Sequence, residues 1–100
     1  MITKYRITPR ALDDLKNIGR YTEQNWGKVQ RDLYLKNLEK RFNWLADSPG
    51  LGKHRPEINK DFYSYPQGMH VVFYLLHTDY IDIIGVPHKD MDIISYFQPD

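Results

Sequence analysis

The sequence contains no cysteine among its 100 residues. A disulfide framework and a thiolate zinc site are therefore excluded, and the absence suits a reducing compartment. Long apolar segments are missing too, since the longest run is Val71 to Leu76, whereas a membrane-spanning helix needs about 20 apolar residues. Met1 is followed by Ile-Thr-Lys-Tyr-Arg and not by an apolar stretch. We therefore expect no secretory signal, no membrane partner and a cytoplasmic protein.

The chain also lacks the motifs of several enzyme classes. It has no glycine-rich phosphate loop and no nucleophile elbow around a serine. Four histidines lie at positions 54, 70, 77 and 88, and no pair has the spacing of metal ligands on a helix. We therefore expect neither a metal site nor a cofactor, although His70 and His88, near strand ends, are placed to approach each other.

The net charge of the chain is only +1, but the charged residues are unevenly distributed along it. Residues 1–50 hold 10 Lys/Arg and 6 Asp/Glu, a balance of +4, whereas residues 51–100 hold 4 and 7, a balance of −3. A dedicated nucleic-acid binder usually has a stronger basic excess than the net +1 of this chain. We interpret the basic half, which is the predicted helical half, as solvated helix faces. If this half has a partner, an acidic protein is a more economical hypothesis than nucleic acid.

Hydrophobic periodicity in the first half predicts a strand followed by two helices. Ile2 to Ile7 alternates like a strand. Thr8 is typical of a helix N-cap before Pro9, and the first helix should end near Gln24, ahead of the turn signal Asn-Trp-Gly. A second amphipathic helix is predicted from Lys28 to Ala46, and the short link makes the two helices an antiparallel hairpin.

The second half is predicted to form strands with a period of two. After a polar loop at Leu51–Lys60, the strands are Phe62–Tyr65, Met69–His77 and Tyr80–Val86, and a last helical turn is expected at Asp92–Tyr96. Two-residue hairpin turns are predicted at Gln67-Gly68 and Thr78-Asp79.

The middle strand of this meander is apolar on both faces, which is typical of a central strand covered on both sides. The helices would cover one face, and the sequence leaves the cover of the other face open. The prediction is an α+β fold of order β-α-α-β-β-β(-α), with a helical hairpin packed on a mostly antiparallel sheet, in a single domain of residues 1–100.

One cluster has the residue types of a ribonuclease site. Such a site needs a base, an acid and a cation, and Glu57, His88 and Arg55 can fill those roles if the loop folds over the strand end. The simpler interpretation is structural: Arg55 and Glu57 form an ion pair, and His88 hydrogen-bonds to the 53–57 loop. Asp92 would likewise cap the last helical turn. We favour the structural interpretation.

Three motifs occur in a characteristic order. Trp26-Gly27 opens the second helix, Arg55-Pro56-Glu57 lies in the loop, and His88-x-x-Met91-Asp92 follows the last strand. Together with the order of elements, they resemble the ParE/RelE superfamily of bacterial toxins, and in particular its ParE branch. The resemblance extends over nearly the whole chain.

The resemblance implies the toxin of a type II toxin–antitoxin module that serves plasmid stabilisation and growth regulation. ParE-like toxins inhibit DNA gyrase and are not nucleases as a class. A ParD-type antitoxin neutralises them, binding DNA with its own N-terminal dimer and wrapping the toxin with its C-terminal segment, so that the toxin meets DNA only indirectly. Such a segment is also a candidate cover for the open face of the sheet.

RelE-like relatives instead cleave mRNA on the ribosome, and Arg55, Glu57 and His88 would then be the active residues. The stretch Ser64-Tyr65-Pro66 lacks the arginines that such nucleases tend to carry, which favours the ParE branch and a protein that is not an enzyme. The candidates for target inhibition are Arg55, His88, Lys89, Met91 and Asp92. The candidates for antitoxin binding are Arg20, Arg31, Tyr34, Arg41 and Trp44.

The end of the last strand departs from the family pattern. ParE-like chains often read Arg-Val-Leu-His there, whereas this chain reads Gly85-Val86-Pro87-His88. Glycine and proline weaken strand pairing. A third hypothesis is therefore a degenerate toxin that only binds its antitoxin.

Overall fold

A five-stranded sheet carries a helical hairpin on one face and a short helix on the other, in a computed structural model that describes residues 4–98. The strands are β1 (Tyr5–Ile7), β2 (Lys53–His54), β3 (Phe62–Gln67), β4 (His70–Leu76) and β5 (Ile81–Gly85), and the helices are α1 (Pro9–Trp26), α2 (Lys28–Asp47) and α3 (Ile93–Phe97). The strand order is β1-β5-β4-β3-β2. Because only the β1–β5 pair is parallel, the predicted α+β fold with a mostly antiparallel sheet is confirmed. The beginning of the predicted first strand, at Ile2, lies outside the described residues.

Two residues, Thr8 and Gly27, determine where the helical hairpin begins and where it turns. The Thr8 side chain accepts a hydrogen bond from the Ala11 backbone N–H at 3.3 Å, so the predicted cap is confirmed. The first helix runs to Trp26, two residues beyond the predicted end at Gln24, because Gly27 alone makes the turn at a φ of 90° that only glycine adopts readily.

The main core lies between the helical hairpin and the sheet. Every third or fourth residue of each helix points inward, as the periodicity predicted, and meets alternate residues of β4 and β5. The fully buried members include Ala11, Leu38, Leu45, Val72, Tyr74 and Ile83. None of the helices in residues 4–98 has the length and apolarity needed to cross a membrane.

The opposite side of the sheet, here called the second face, is covered by the chain itself. Phe73 alternates with Val72 and Tyr74, so its side chain points away from the helical hairpin, yet it is fully buried. The Phe97 ring of α3 packs against it with centroids 5.1 Å apart, and the Arg55 guanidinium lies 5.2 Å from its ring centroid. The question that the sequence left open is therefore answered for the centre of this face, where Phe97 and Arg55 of the chain itself provide the cover.

The polar loop and the first hairpin differ from the sequence prediction. Lys53–His54 forms an edge strand within the segment predicted to be loop, since its backbone pairs with Ser64 and Tyr63. Because Gln67 pairs with His70, the first hairpin loop is Gly68-Met69, one residue later than predicted. The loop predicted at Thr78-Asp79 is confirmed by the hydrogen bond from the His77 N–H to the Tyr80 carbonyl.

Pairing at the end of β5 persists in spite of its glycine and proline. Gly85 pairs with Phe73, the Pro87 carbonyl accepts the Val71 N–H at 2.9 Å, and His88 forms a bridge with His70. The register shifts between Phe73, which pairs with Gly85, and Tyr74, which pairs with Ile83, so that Ile84 is the extra residue in β5. Beyond Gly85 the pairing continues only as an isolated bridge, and it can do so because proline lacks only the donor and its carbonyl is still used.

Candidate functional site

An open groove of about 500 Å³ separates the tip of the helical hairpin from the end of the sheet where β4 begins and β5 ends. Its walls are mainly apolar. They come from α1, from α2, from the β3–β4 turn and from the segment that follows β5; the residues are Asp14, Asn17, Ile18, Tyr21, Thr22, Trp26, Gln30, Tyr34, Met69, His70, Val86, Pro87, His88, Met91 and Tyr96.

The groove exposes large apolar side chains that a folded chain would normally bury. Trp26 is 64% exposed and Tyr21 59% exposed, and their rings meet edge to face at 5.9 Å. Met69 and Met91, on the opposite wall, are each about half exposed. Exposed aromatic and methionine side chains around one concave surface are typical of a protein-binding site.

A hydrogen-bonded tyrosine and two histidines line the groove beneath this apolar rim. The Tyr34 hydroxyl lies 2.6 Å from His70 Nδ1 and accepts the Met69 backbone N–H at 3.0 Å. The His70 and His88 rings meet edge to face at 5.5 Å, so the expected approach of these two histidines is confirmed.

His70 is held in its neutral form. Burial, followed by the neighbouring His88, lowers the pKa of His70 from 6.5 to about 4. The neutral ring has one donor and one acceptor nitrogen, and its Nδ1 shares a hydrogen bond with the Tyr34 hydroxyl, which also lies 3.3 Å from the Gln67 carbonyl. The tyrosine therefore joins α2 to the β3–β4 turn through the histidine.

The segment after β5 joins the groove to α3. The Lys89 N–H donates to the Met69 carbonyl at 2.9 Å, which fixes the segment against the β3–β4 turn. Asp92 accepts the Ile94 N–H at 3.1 Å and the Ser95 hydroxyl at 3.0 Å, so its predicted capping role is confirmed. Within residues 4–98, His88 bonds to its own segment at the Asp90 N–H, and the hydrogen bond expected to the 53–57 loop is wrong.

Arg55 is tied into the second face. Its Nε donates to Glu57 at 2.7 Å and its Nη1 to the buried Ser64 hydroxyl at 3.1 Å, and its side chain is only 20% exposed. The Arg55–Glu57 ion pair predicted from the sequence is confirmed. It lowers the pKa of Glu57, chiefly through the hydrogen bond from Arg55.

The three residues named for a nuclease do not converge. The Arg55 backbone pairs with Phe62 at one end of β3, whereas His88 bridges to His70, which pairs with Gln67 at the other end. The backbones at these two ends are five residue steps apart along β3, about 17 Å at the usual rise. The loop therefore does not fold over the strand end as the ribonuclease hypothesis required. Within residues 4–98, no group of three or more carboxylate or histidine side chains is placed to hold a metal ion.

The five candidates for antitoxin binding lie in four different settings. Tyr34 lies in the groove, and Arg31 is engaged by Glu23 and Asp32. Arg20 is exposed on α1.

Arg41 and Trp44 form a separate cluster with β3. The Arg41 guanidinium lies 4.5 Å from the Trp44 ring and 4.8 Å from the Tyr65 ring, and its Nε donates to Gln67 at 2.8 Å. Neither Arg41 nor Trp44 lines the groove that contains Tyr34.

The comparison with known proteins agrees with this architecture. The model of a family described as "ParE toxin of type II toxin-antitoxin system, parDE" matches residues 5–93. The chain belongs to the ParE toxin family. It is the toxin component of a type II toxin–antitoxin system.

Individual relatives support the assignment. The ParE-family chain is 34% identical to Toxin ParE1 of Caulobacter vibrioides over 88 residues, 88% of this chain and 91% of that one. It is 30% identical to Toxin ParE1 of Mycobacterium tuberculosis strain H37Rv over 94 residues, 93% and 96% of the two chains.

Two solved structures share the fold. A chain from "Chromosomal ParDE TA system from P. aeruginosa" superposes with a TM-score of 0.72 at 14% identity, over 86% of this chain and 95% of that one. A chain from the YoeB dimer of Staphylococcus aureus superposes with a TM-score of 0.61 at 17% identity, with the same coverage. At these identities the likeness concerns the fold.

Sequence reasoning missed much of the groove of this ParE-family toxin. Tyr21 and Met69 were not predicted to be site residues, and Trp26 entered only as part of a motif. The available signal was the size of these apolar side chains beside turns, where the chain offers little to bury them. The contact between Asp14 and Tyr96 was not predicted either, because the two residues are 82 positions apart in the sequence.

Proposed function

We propose that this toxin inhibits DNA gyrase by binding to it, without a catalytic step of its own, and that a ParD-type antitoxin silences it by filling the groove. The observation that carries the proposal is the exposed apolar groove in a chain of the ParE family. Contact with DNA would come only through the antitoxin.

The shape and chemistry of the groove favour an amphipathic helix as its occupant. Trp26 and Tyr21 stand on one wall and Met69 and Met91 on the other, so apolar side chains of a helix can enter between them. Such helix-in-groove binding uses anchors spaced three to four residues apart. The +4 balance of residues 1–50 favours an occupant with acidic residues outside its apolar stripe.

The contacts and the separation of Arg55, Glu57 and His88 support inhibition without catalysis. A phosphoryl-transfer site needs its cation and its acid or base around one reacting group. Here the cation is paired with Glu57 and Ser64, and His88 lies near the other end of the neighbouring strand. The segment His88–Asp92 is exposed over most of its length and is the proposed contact with the target.

The decisive experiment is a gyrase supercoiling assay with the purified toxin. We expect inhibition that rises with toxin concentration and that disappears when the cognate antitoxin is added first. Normal supercoiling at a large excess of folded toxin would contradict gyrase as the target.

Two further measurements separate the other hypotheses. Cleavage of mRNA on translating ribosomes, lost in His88→Ala, would establish the RelE-type endonuclease instead. Normal growth on induction without the antitoxin, combined with tight antitoxin binding in vitro, would establish a degenerate toxin.

A further inference from the structure

The end of β5 has an opening on the second face, and a residue from α3 fills it. Gly85 pairs with Phe73, so a side chain at position 85 would point to the second face. The Tyr96 ring takes that space: a Cβ added to Gly85 would lie 2.9 Å from Tyr96 Cε2 and 3.0 Å from its Cζ. The tyrosine can occupy this place only because residue 85 has no side chain.

The Tyr96 hydroxyl donates to the Asp14 carboxylate, which also accepts a hydrogen bond from the backbone at the end of β5. Asp14 Oδ2 accepts the Tyr96 hydroxyl and the Val86 backbone N–H, the latter at 2.8 Å. Burial, followed by the bond to Asp14, raises the pKa of Tyr96, so the hydroxyl stays protonated and remains a donor. One carboxylate of α1 therefore joins α1, β5 and α3.

Further contacts of α3 involve Arg10 and two phenylalanines of the sheet. The Arg10 guanidinium lies 4.3 Å from the Tyr96 ring centroid and donates to the Tyr96 carbonyl. Phe97 packs against Phe73 and Phe62, with centroids at 5.1 and 5.4 Å. A five-residue helix is not stable by itself, so these contacts decide whether α3 forms.

The docked helix in turn fixes the segment before it. The segment His88–Asp92 is held at its start by the bridge to His70 and at its end by α3, which Asp92 caps.

We propose that Tyr96, seated over Gly85 and bonded to Asp14, is a positioning residue that holds His88–Asp92 in the conformation through which the toxin acts. The inference rests on the proposed function, because it takes this segment as the contact with the target. It predicts that Gly85 and Tyr96 are matched, so that a change at one site alters the effect of a change at the other.

The test is a double-mutant cycle of Gly85→Ala and Tyr96→Ala, with Gly50→Ala as the control because a Cβ there meets no atom within 4 Å. For each purified variant, we would measure the concentration that half-inhibits gyrase supercoiling, growth arrest on induction, and amide hydrogen exchange. Each single variant should raise the half-inhibiting concentration by roughly tenfold, which corresponds to about 1.4 kcal/mol. The double variant should be no weaker than Tyr96→Ala alone, and Gly50→Ala should match the wild type.

Hydrogen exchange distinguishes positioning from general destabilisation. Exchange should accelerate in residues 88–97 and stay unchanged in β4 at the assay temperature. Tyr96→Phe keeps the ring and loses only the hydrogen bond to Asp14, so it should give a smaller effect of the same kind. This variant keeps the proposal testable if Tyr96→Ala fails to fold.

Four outcomes would overturn the proposal: unchanged inhibition by the single variants, additive effects in the double variant, weaker inhibition without faster exchange in residues 88–97, or faster exchange throughout β4. A wild-type toxin that arrests growth without inhibiting gyrase would refute only the proposed target, and the same cycle would then be read from growth arrest. A wild type that does neither would refute both.

Discussion

The Tyr34 hydroxyl lies 2.6 Å from His70 Nδ1 while it accepts the Met69 N–H at 3.0 Å, so one side chain of α2 satisfies two polar groups of the β3–β4 turn. This close approach requires glycine at position 68, because Gly68 has a φ of 60° and a Cβ there would lie 2.8 Å from the same hydroxyl. Tyr34, first considered as an antitoxin contact, therefore also holds the groove in shape.

The change Tyr34→Phe should destabilise the fold. It leaves His70 Nδ1 and the Met69 N–H without their partner, and we expect a loss of about 1–2 kcal/mol in the free energy of unfolding. Urea denaturation measures it. The control Tyr21→Phe, on an exposed ring of the same groove, should change the value by less than about 0.5 kcal/mol, and an equal loss in both variants would contradict the assigned role.

Stability should depend on pH through His70. Its pKa in the folded chain is lowered from 6.5 to about 4, so between these values the unfolded chain binds more protons than the folded one. The contribution of His70 is therefore fully present above about pH 6.5 and is lost as the pH falls towards 4. Tyr34, His88 and Asp14 are the other titratable groups facing it from the neighbouring elements.

Urea denaturation of the wild type and of His70→Gln at several pH values isolates this term. The difference in stability between the two proteins should shrink as the pH falls from 6.5 to 4. The pKa of Asp82 is lowered chiefly by its hydrogen bond with Arg6, so the stability that Asp82 contributes is lost only at still lower pH, in both proteins alike. A constant difference across the range would contradict the neutral state of His70.

A methyl group at Gly52 should be costly. The Cβ of Gly52→Ala would lie 2.8 Å from Cζ of Tyr74, a fully buried ring whose hydroxyl donates to the Pro49 carbonyl at 2.5 Å. Because the ring has no free space to move into, we expect a loss of about 1–3 kcal/mol. Thermal unfolding measures it against Gly50→Ala, where the added methyl meets nothing, and equal melting temperatures would refute the prediction.

Removal of the Trp26 ring should weaken antitoxin binding without weakening the fold. The ring is 64% exposed on the groove wall, so Trp26→Ala costs the folded chain little, whereas an aromatic anchor of an interface is commonly worth about 2 kcal/mol or more. Calorimetric titration with the antitoxin measures the affinity. Val29→Ala, at an 85% exposed side chain outside the groove, is the matched control and should bind like the wild type.

Arg55 should behave as a structural residue. Its removal leaves the buried Ser64 hydroxyl without the guanidinium and exposes the edge of Phe73, so Arg55→Ala should cost about 1–2 kcal/mol of stability. Denaturation and growth arrest, measured on the same variant, separate the two roles proposed for this residue. Loss of toxicity at unchanged stability would make Arg55 a contact with the target instead.

The local order of the chain followed from its sequence. The cap at Thr8, the break at Gly27 and the inward stripe of α2 need only backbone sterics and hydrophobic periodicity, both of which act over a few neighbouring residues. Asp92 and the Arg55–Glu57 pair were predictable for the same reason, since their partners lie within three positions.

Contacts between distant residues were decided only by the tertiary structure. The groove depends on the distance between the helical hairpin and the sheet end, and no local pattern encodes that distance. Phe73 was rightly predicted to be buried, but its cover by Phe97 was not, because the sequence does not say where a five-residue helix docks. Gly85 was interpreted as a weak point of the last strand, whereas the structure makes it the space for Tyr96, and that pairing exists only once α1, β5 and α3 have come together.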